Sequence, residues 1–506
     1  MKIGNQKKNS SKKNWVKFFI VLVFAFLLVK FVSVIYQTKE VKKGSSLEIF
    51  TAHLEKRIPD LMETYDIPGV SIALVEEGKI TWKNAYGYAD LESGRKMTID
   101  TYLRVQSISK SVTAWGVMKL VEEGKVDLET PVSQYLKKWN LPESDFSEEK
   151  VTVEQLLSHT AGMPLGDFFN FYSPLEKDIP SLEESLNKEA VLFQEPGSSF
   201  FYSNTGFNLL ELLIEEVTGR DFSEYIEQEI LTPLGMVQSS FVWRETFDPE
   251  IPNGYGLTGN AVPVYVYPEK GSGGLFASVG DIATFVSASM PSFFSGKQVL
   301  KPASINQLHT PKVEGLGMYS LIFDAYGFGH YIDEFPDGRR AVSHGGQGTG
   351  WMTQFFAVPD TGDGIVILTN SQRSWPFIAY ILTDWGEWSG FSSIGMSRIL
   401  LGIKLMWAII GLIWAGVLWQ TWSVVEELIN KKRQFSPLSN VSLPLRLTQT
   451  VLSVVILTGL IWSLNQDYLF ISSIFPITSV WLGFSGFMVV LVLLVSVLFP
   501  KKSSIE

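Results

Sequence analysis

Ser107 and Lys110 stand three residues apart where the chain reads Arg104-Val-Gln-Ser107-Ile-Ser-Lys110. The segment then stays apolar through Val112, Ala114, Trp115, Val117, Met118, Leu120 and Val121, and ends at Gly124. Positions i and i+3 share a helix face, so the lysine amine can reach the serine hydroxyl. The partial positive charge of a helix N-terminus favours an alkoxide there and disfavours an ammonium. Together these features describe a serine nucleophile with a base beside it. The same spacing recurs at Ser10/Lys13, Ser93/Lys96, Ser147/Lys150 and Ser185/Lys188, but among polar or charged neighbours. Only Ser107 opens an apolar helix. A buried lysine needs a reason, and this stretch alone fits catalysis and a core helix with a snorkelling lysine equally well.

Two further groups of residues suit the same chemistry. Tyr202-Ser-Asn204 follows Pro196-Gly197, and no other tyrosine of the seventeen has asparagine two positions on. Beside a lysine ammonium a tyrosine hydroxyl loses its proton more readily, so it can relay protons to a leaving group or from water. The Asn204 amide can hold both the lysine and a substrate carbonyl. In His344-Gly345-Gly346-Gln347, glycines along a strand edge allow a substrate backbone to come close. The amides of Gln347 and Ser107 together can form an oxyanion hole. His344 can donate to a substrate carboxylate or to the Tyr202 oxygen. Taken singly, each group reads more readily as an ordinary turn.

These residues need a scaffold. Residues 40–66 read as a helix with Ile49, Leu54, Ile58, Leu61 and Met62 on its apolar face, and Ile67–Lys83 reads as a hairpin that Tyr86–Asp90 continues. The stretch from Val126 to about Ser240 is mostly helical, with a break at Ser158–Pro164 and a helix at Phe207–Thr218. Gly271–Asp281 is a glycine-rich turn before a helix at Ile282–Met290. Strands are expected at Tyr326–Tyr331, Arg340–His344 and Gly364–Thr369. The layout is α+β: an antiparallel sheet drawn from both ends of the domain, flanked by helices, with a helical domain inserted between.

Composition narrows the class. The chain has 506 residues and a net charge of −10, with Lys2, Lys7, Lys8, Lys12, Lys13 and Lys17 ahead of the first acid, Glu40. An acidic middle without a basic-aromatic groove argues against nucleic acid as a partner. Without cysteines there are no disulfides or thiolate metal sites, and five scattered histidines without His-Glu-x-x-His give no zinc motif. No cofactor or metal is expected. Phe18–Val29, resuming after Lys30 to Ile35, reads as a retained signal anchor in preference to a cleaved signal peptide. Leu405–Val425, Leu447–Leu464 and Ile477–Phe499 read as transmembrane helices with Trp407, Trp422, Trp462 and Trp481 near their ends. Lys431-Lys-Arg433 and Arg446 after the first, and Lys501-Lys502 after the last, place those segments in the cytoplasm and the middle of the chain outside. The expected divisions are an anchor over 1–39, a catalytic domain over 40–395 and membrane helices over 396–506.

In order and spacing, the three groups resemble the serine β-lactamase and penicillin-binding protein superfamily, most of all class C β-lactamases and their esterase, D-aminopeptidase and D,D-peptidase relatives. Leu156-Leu-Ser-His-Thr-Ala-Gly-Met-Pro164, Tyr202-Ser-Asn-Thr-Gly206, Pro233-Leu-Gly-Met236 and Gly273-Gly-Leu-Phe-Ala-Ser278 extend the resemblance over roughly residues 45–385. It implies the β-lactamase/transpeptidase-like fold. It makes Ser107 the acylated nucleophile, Lys110 its base or proton relay and Tyr202 the general acid/base. Asn204 becomes a positioning group, and Ser107 and Gln347 the oxyanion donors. Position 344 is histidine where class C β-lactamases usually have the lysine that binds the drug carboxylate, which turns the expectation toward a peptidase or esterase. Three C-terminal membrane helices are also similar in architecture to membrane-bound peptidases of the colibactin-maturation type, which remove an N-acyl-D-amino-acid leader from nonribosomal prodrugs. The expected substrate is a small peptide or acyl-amide bearing a D-amino acid, with Phe168, Phe169, Phe171 and Tyr172 as candidate acyl-chain contacts. The alternatives are a D,D-carboxypeptidase or weak β-lactamase of the cell wall, and a penicillin-type sensor acylated without turnover.

Overall fold

A computed structural model describes residues 42–502, except 168, 392–393, 438–440 and 467–468. The expected N-terminal anchor and Phe168 lie outside the described residues. Among those described, the chain divides into two compact units, one running to Arg398 and the other beginning at Ile399.

In the first unit, β1 (Gly69–Glu76) and β2 (Lys79–Asp90) form the expected hairpin, with Glu77 and Gly78 both in the left-handed region at the turn. The sheet continues with β3 (Arg95–Lys96), β4 (Val313–Glu314), β5 (Ala325–Tyr326), β6 (Tyr331–Glu334), β7 (Arg340–Gly348), β8 (Trp351–Val358) and β9 (Asp363–Thr369). The nine strands lie in the order β3-β2-β1-β9-β8-β7-β6-β5-β4, every neighbour antiparallel. The β1–β9 pairing, Val70 opposite Thr369 through Val75 opposite Gly364, joins the two ends of the domain.

Both faces of the central strands are covered, which is why β8 is buried along all eight residues instead of alternating. Successive strand side chains point to opposite faces. Phe355 meets Phe285 of the helix Val279–Ala288, whereas Phe356 meets Trp385 of the helix Trp375–Ser389.

The sequence reading differs from the fold at several places. Tyr326–Tyr331 is a tight hairpin, not one strand: Gly329 is left-handed and the Gly327 amide donates to the His330 carbonyl at 2.9 Å. Strand β8 was not anticipated, because its apolar run lacks the alternation that marks a half-exposed strand. Ile49 is 61% exposed, and the buried face of α1 (Leu47–Tyr65) is instead Phe50, Leu54, Ile58, Leu61, Met62 and Tyr65. The helix expected at Phe207 starts earlier, at Asn204.

The site depends on three further helices: α2 (Ile108–Glu122), α3 (Leu182–Glu189) and α4 (Asn204–Thr218). The second unit consists mainly of α5 (Ser397–Ile429), α6 (Leu443–Leu464) and α7 (Pro476–Leu498), all long and apolar enough to cross a membrane, with mean hydropathies of 2.0, 1.8 and 2.5. Val451, Val454, Val455 and Ile461 of α6 lie exposed, a face suited to hydrocarbon and costly in water.

Candidate active site

Ser107 sits at the N-terminus of α2, immediately after Gln106, whose φ of 53° is left-handed for a residue with a side chain. Such a conformation costs about 1–3 kcal/mol and persists only where the surroundings hold it. The Gln106 carbonyl accepts from Ser109 Oγ at 2.6 Å and from the Ser109 amide at 2.9 Å, and its side-chain amide donates to Tyr265 Oη at 3.2 Å. The turn that presents the nucleophile is therefore tied on both sides.

Lys110 is fully buried, and its Nζ lies 3.2 Å from Ser107 Oγ, 2.7 Å from Asn204 Oδ1 and 2.9 Å from the Ser272 carbonyl. Desolvation holds the amine well below the ordinary lysine range. A neutral amine has two N–H groups and one lone pair. Asn204 and Ser272 are acceptors and take the two N–H groups, so the lone pair is left for the Ser107 proton.

The Ser272 carbonyl is held by a carboxylate. Glu211 of α4 accepts the backbone amides of Lys270 at 2.7 Å and Gly271 at 2.6 Å, and Thr113 of α2 donates to the Gly271 carbonyl at 2.8 Å. Burial, the dominant cause, pushes the Glu211 carboxyl up to about 8.

Asn204 is the first residue of α4, not a loop residue, and Ser203 caps that helix by accepting the Gly206 amide at 2.8 Å. Tyr202 stands beside the Ser107 side chain, and the Lys110 amine lies 4.9 Å from its ring centre. Contrary to the expectation of a readily ionised tyrosine, desolvation first and the neighbouring Tyr319 second push Tyr202 well above its ordinary range. With its range raised, Tyr202 holds its proton more firmly than a free tyrosine does.

His344 occupies a different place from the one its motif suggested. It is 1% exposed, its Nε2 lies 3.2 Å from Tyr326 Oη and its Nδ1 lies 2.8 Å from the Gly345 carbonyl. Neither nitrogen is directed to a substrate carboxylate or bonded to Tyr202. It ends a chain that also contains His159, which the sequence reading noted only within a signature. The Ser203 amide donates to His159 Nδ1 at 3.1 Å, so His159 carries its proton on Nε2 and donates to Tyr326 Oη at 3.1 Å. Tyr326 then donates to His344 Nε2, and His344 Nδ1–H donates to Gly345. Every member is satisfied with both imidazoles neutral, and burial pushes both well below the usual imidazole range. The chain ties the Tyr202–Asn204 segment to β7.

Strand β6 pairs only with Arg340–Ser343 of β7, so the edge of β7 from His344 to Gly348 has no strand neighbour on that side. Ser107 and Gln347 line one cavity. A Cβ on Gly346 would lie 2.1 Å from the Val105 carbonyl, and one on Gly348 would lie 2.4 Å from Gln106 Nε2. These glycines admit the segment leading into the nucleophile, a role the sequence reading had given to the substrate. A Cβ on Gly345 would lie 2.5 Å from Gln354 Oε1. The aromatic loop is partly accounted for by packing, since Phe171 stacks on Tyr265 with ring centres 4.3 Å apart. Among the described residues no group of histidine, aspartate and glutamate is placed to hold a metal.

A serine 3.2 Å from a buried lysine amine and beside a buried tyrosine, in a unit built on an antiparallel sheet, is the arrangement of a serine hydrolase. The sequence model of the Beta-lactamase family matches residues 54–380, and the chain belongs to that family. It is similar to penicillin-binding protein 4* of Bacillus subtilis, at 26% identity over 65% of this chain and 74% of that protein. Protein flp of Staphylococcus aureus is 30% identical over 43% of each chain. Among solved structures, the octameric penicillin-binding protein homologue from Pyrococcus abyssi superposes with a TM-score of 0.58 at 28% identity, over 66% of this chain and 76% of that one. The penicillin-binding protein from Bacillus halodurans gives 0.51 at 25% identity, over 62% and 94%.

Proposed function

We propose that this protein is a membrane-anchored serine hydrolase whose catalytic unit lies outside the cytoplasm, cleaving an amide or ester in a D-amino-acid-bearing peptide or N-acyl-D-amino-acid prodrug. The observation that carries the reading is the Lys110 amine, buried and within hydrogen-bond reach of Ser107 Oγ, Asn204 Oδ1 and the Ser272 carbonyl, with desolvation holding it well below the ordinary lysine range. Lys110 takes the Ser107 proton as Oγ bonds to the substrate carbonyl carbon. Backbone amides of Ser107 and Gln347 receive the developing oxyanion. Tyr202 gives its proton to the leaving nitrogen or oxygen as that bond breaks, and the Lys110 ammonium returns a proton to Tyr202. In the second half a water surrenders its proton along the same path, attacks the acyl carbon and releases the acid, while Ser107 Oγ regains its proton. The D-amino-acid preference is supported by resemblance to the peptidases of the family, and the external placement by positive charge at Lys431–Arg433 and Lys501.

The test is labelling of the full-length chain in detergent with a fluorophosphonate, followed by turnover on D-aminoacyl amides. Wild type should label and Ser107→Ala should not. Undiminished labelling of the alanine variant would sink the assignment of the nucleophile, and acylation without any release of product would favour a sensor instead.

A further inference from the structure

The cavity beside Ser107 has walls of one charge. Asp167, Glu189 and Glu269 line it together with Asn204, Asn208, Ser272 and Gln347, and no arginine or lysine is among its lining residues. Glu189, at the end of α3, accepts the Asp167 amide at 3.2 Å and the Thr205 hydroxyl at 3.4 Å, which turns its carboxylate toward the nucleophile's cavity. Glu269 is 8% exposed and accepts from Ser185. None of the three makes an ion pair among the described residues. Burial first, and then the Glu189 and Asp167 charges, push the Glu269 carboxyl up to about 7. Holding three carboxylates at one cavity without a cation is unfavourable, and a bound cation relieves it.

A second observation points the same way. Asn208 of α4 is only 3% exposed, lines the same cavity, and its Oδ1 has no hydrogen-bond partner among the described residues. A buried acceptor without a donor carries a desolvation cost that a ligand N–H removes. Carboxylates and an open amide oxygen together call for a ligand rich in N–H and positive in charge. His344, neutral and enclosed, supplies nothing for a carboxylate.

We propose that this cleft selects substrates carrying a protonated primary amine, bound by Glu189, Glu269 and the Asn208 amide oxygen next to Ser107. The proposal rests on Ser107 being the acylated nucleophile. It predicts discrimination against substrates bearing a carboxylate at that position, as an anion there would meet the same walls without a counter-charge.

Three aminoalkyl diphenyl phosphonates with one side chain, differing only in a free amine, an N-acetyl or an N-succinyl cap, test it on the full-length chain in detergent. The second-order rate of Ser107 labelling should fall in that order, by about tenfold or more from the first to the last, the factor a single charge-assisted contact supplies. In Glu189→Gln and Glu269→Gln the ratio of free-amine to succinyl rates should collapse toward one. A ratio read within one preparation is insensitive to partial misfolding. Equal rates for the three probes in wild type, or a ratio unchanged in both variants, would overturn the amine site. If a small fluorophosphonate labels Ser107 but none of the three phosphonates does, the amine site is likewise overturned while the nucleophile stands. If nothing labels, the hydrolase reading itself fails.

Discussion

Lys110 is fully buried, with two carbonyl oxygens and the Ser107 hydroxyl around its amine. Burial depresses its range and the proposed mechanism uses the neutral amine, so acylation should gain rate as pH rises through a point well below the ~10.4 of a free lysine and then level off. A rate-versus-pH profile of fluorophosphonate labelling whose rise lay at the free-lysine value would contradict this. Lys110→Arg should lose about 10²–10⁴ of the acylation rate, because guanidinium cannot give up its proton and cannot serve as base. The pairing of Ser107 with Lys110, and their neighbours Tyr202 and Asn204, were legible because helix periodicity and a two-residue spacing are local facts. His344 was not. Its orientation is decided by Tyr326, eighteen positions away, and by His159, 185 positions away, and no local pattern records either contact. Ser272, Glu211, Glu189, Glu269 and Asn208 were missed for the same reason, although the Gly271–Ser–Gly–Gly turn had marked the neighbourhood of the first.

At the scale of elements, the approach of β7 to the segment before α2 sets the cleft. Gly346 lies where any side chain would strike the Val105 carbonyl and Thr353 Oγ1, which themselves bond at 2.8 Å. Backbone cannot be pushed aside as a flexible side chain can. Gly346→Ala should therefore cost about 1–3 kcal/mol of stability, seen as a lower denaturant midpoint, and should slow Ser107 labelling. An unchanged midpoint with full labelling would mean that β7 and the Gln106 turn can part without consequence. The hairpin β1–β2 was readable from its glycine turn and alternating pattern, whereas β8 was hidden by burial on both faces. The two halves of the Tyr326–Tyr331 hairpin were read as one strand because aromatic residues at both ends masked the left-handed Gly329 between them.

For the molecule as a whole, the helical unit gathers its positive charge at one end. Arg433 bridges to Lys501, the Lys502 amide donates to the Lys432 carbonyl at 2.9 Å, and Lys501 and Arg433 both pair with Glu427. The segment after α5 and the segment after α7 thus share one side, as the two crossings between them, α6 and α7, require. The proposed topology, by the positive-inside tendency, puts that side in the cytoplasm. In intact cells, a cysteine introduced at exposed Glu63 of the catalytic unit should react with a membrane-impermeant maleimide, while one at Lys502 should react only after permeabilisation; the reverse pattern would invert the proposed topology.

Length, hydropathy and charge alone determined that the C-terminal part can cross a bilayer three times and that an α+β domain precedes it. These properties are sums over neighbouring residues, which a linear chain carries without folding. The serine-lysine pair and the tyrosine-asparagine motif were likewise written locally. Tertiary structure decided the rest, since protonation state depends on what lies within a few ångströms in every direction. Only the folded chain surrounds Lys110 with Asn204 and Ser272, encloses His344 behind Tyr326, and brings Glu189, Glu269 and Asn208 to the mouth of Ser107. The proposed nucleophile was visible from its neighbours in sequence, and the carboxylates around it only from its neighbours in space.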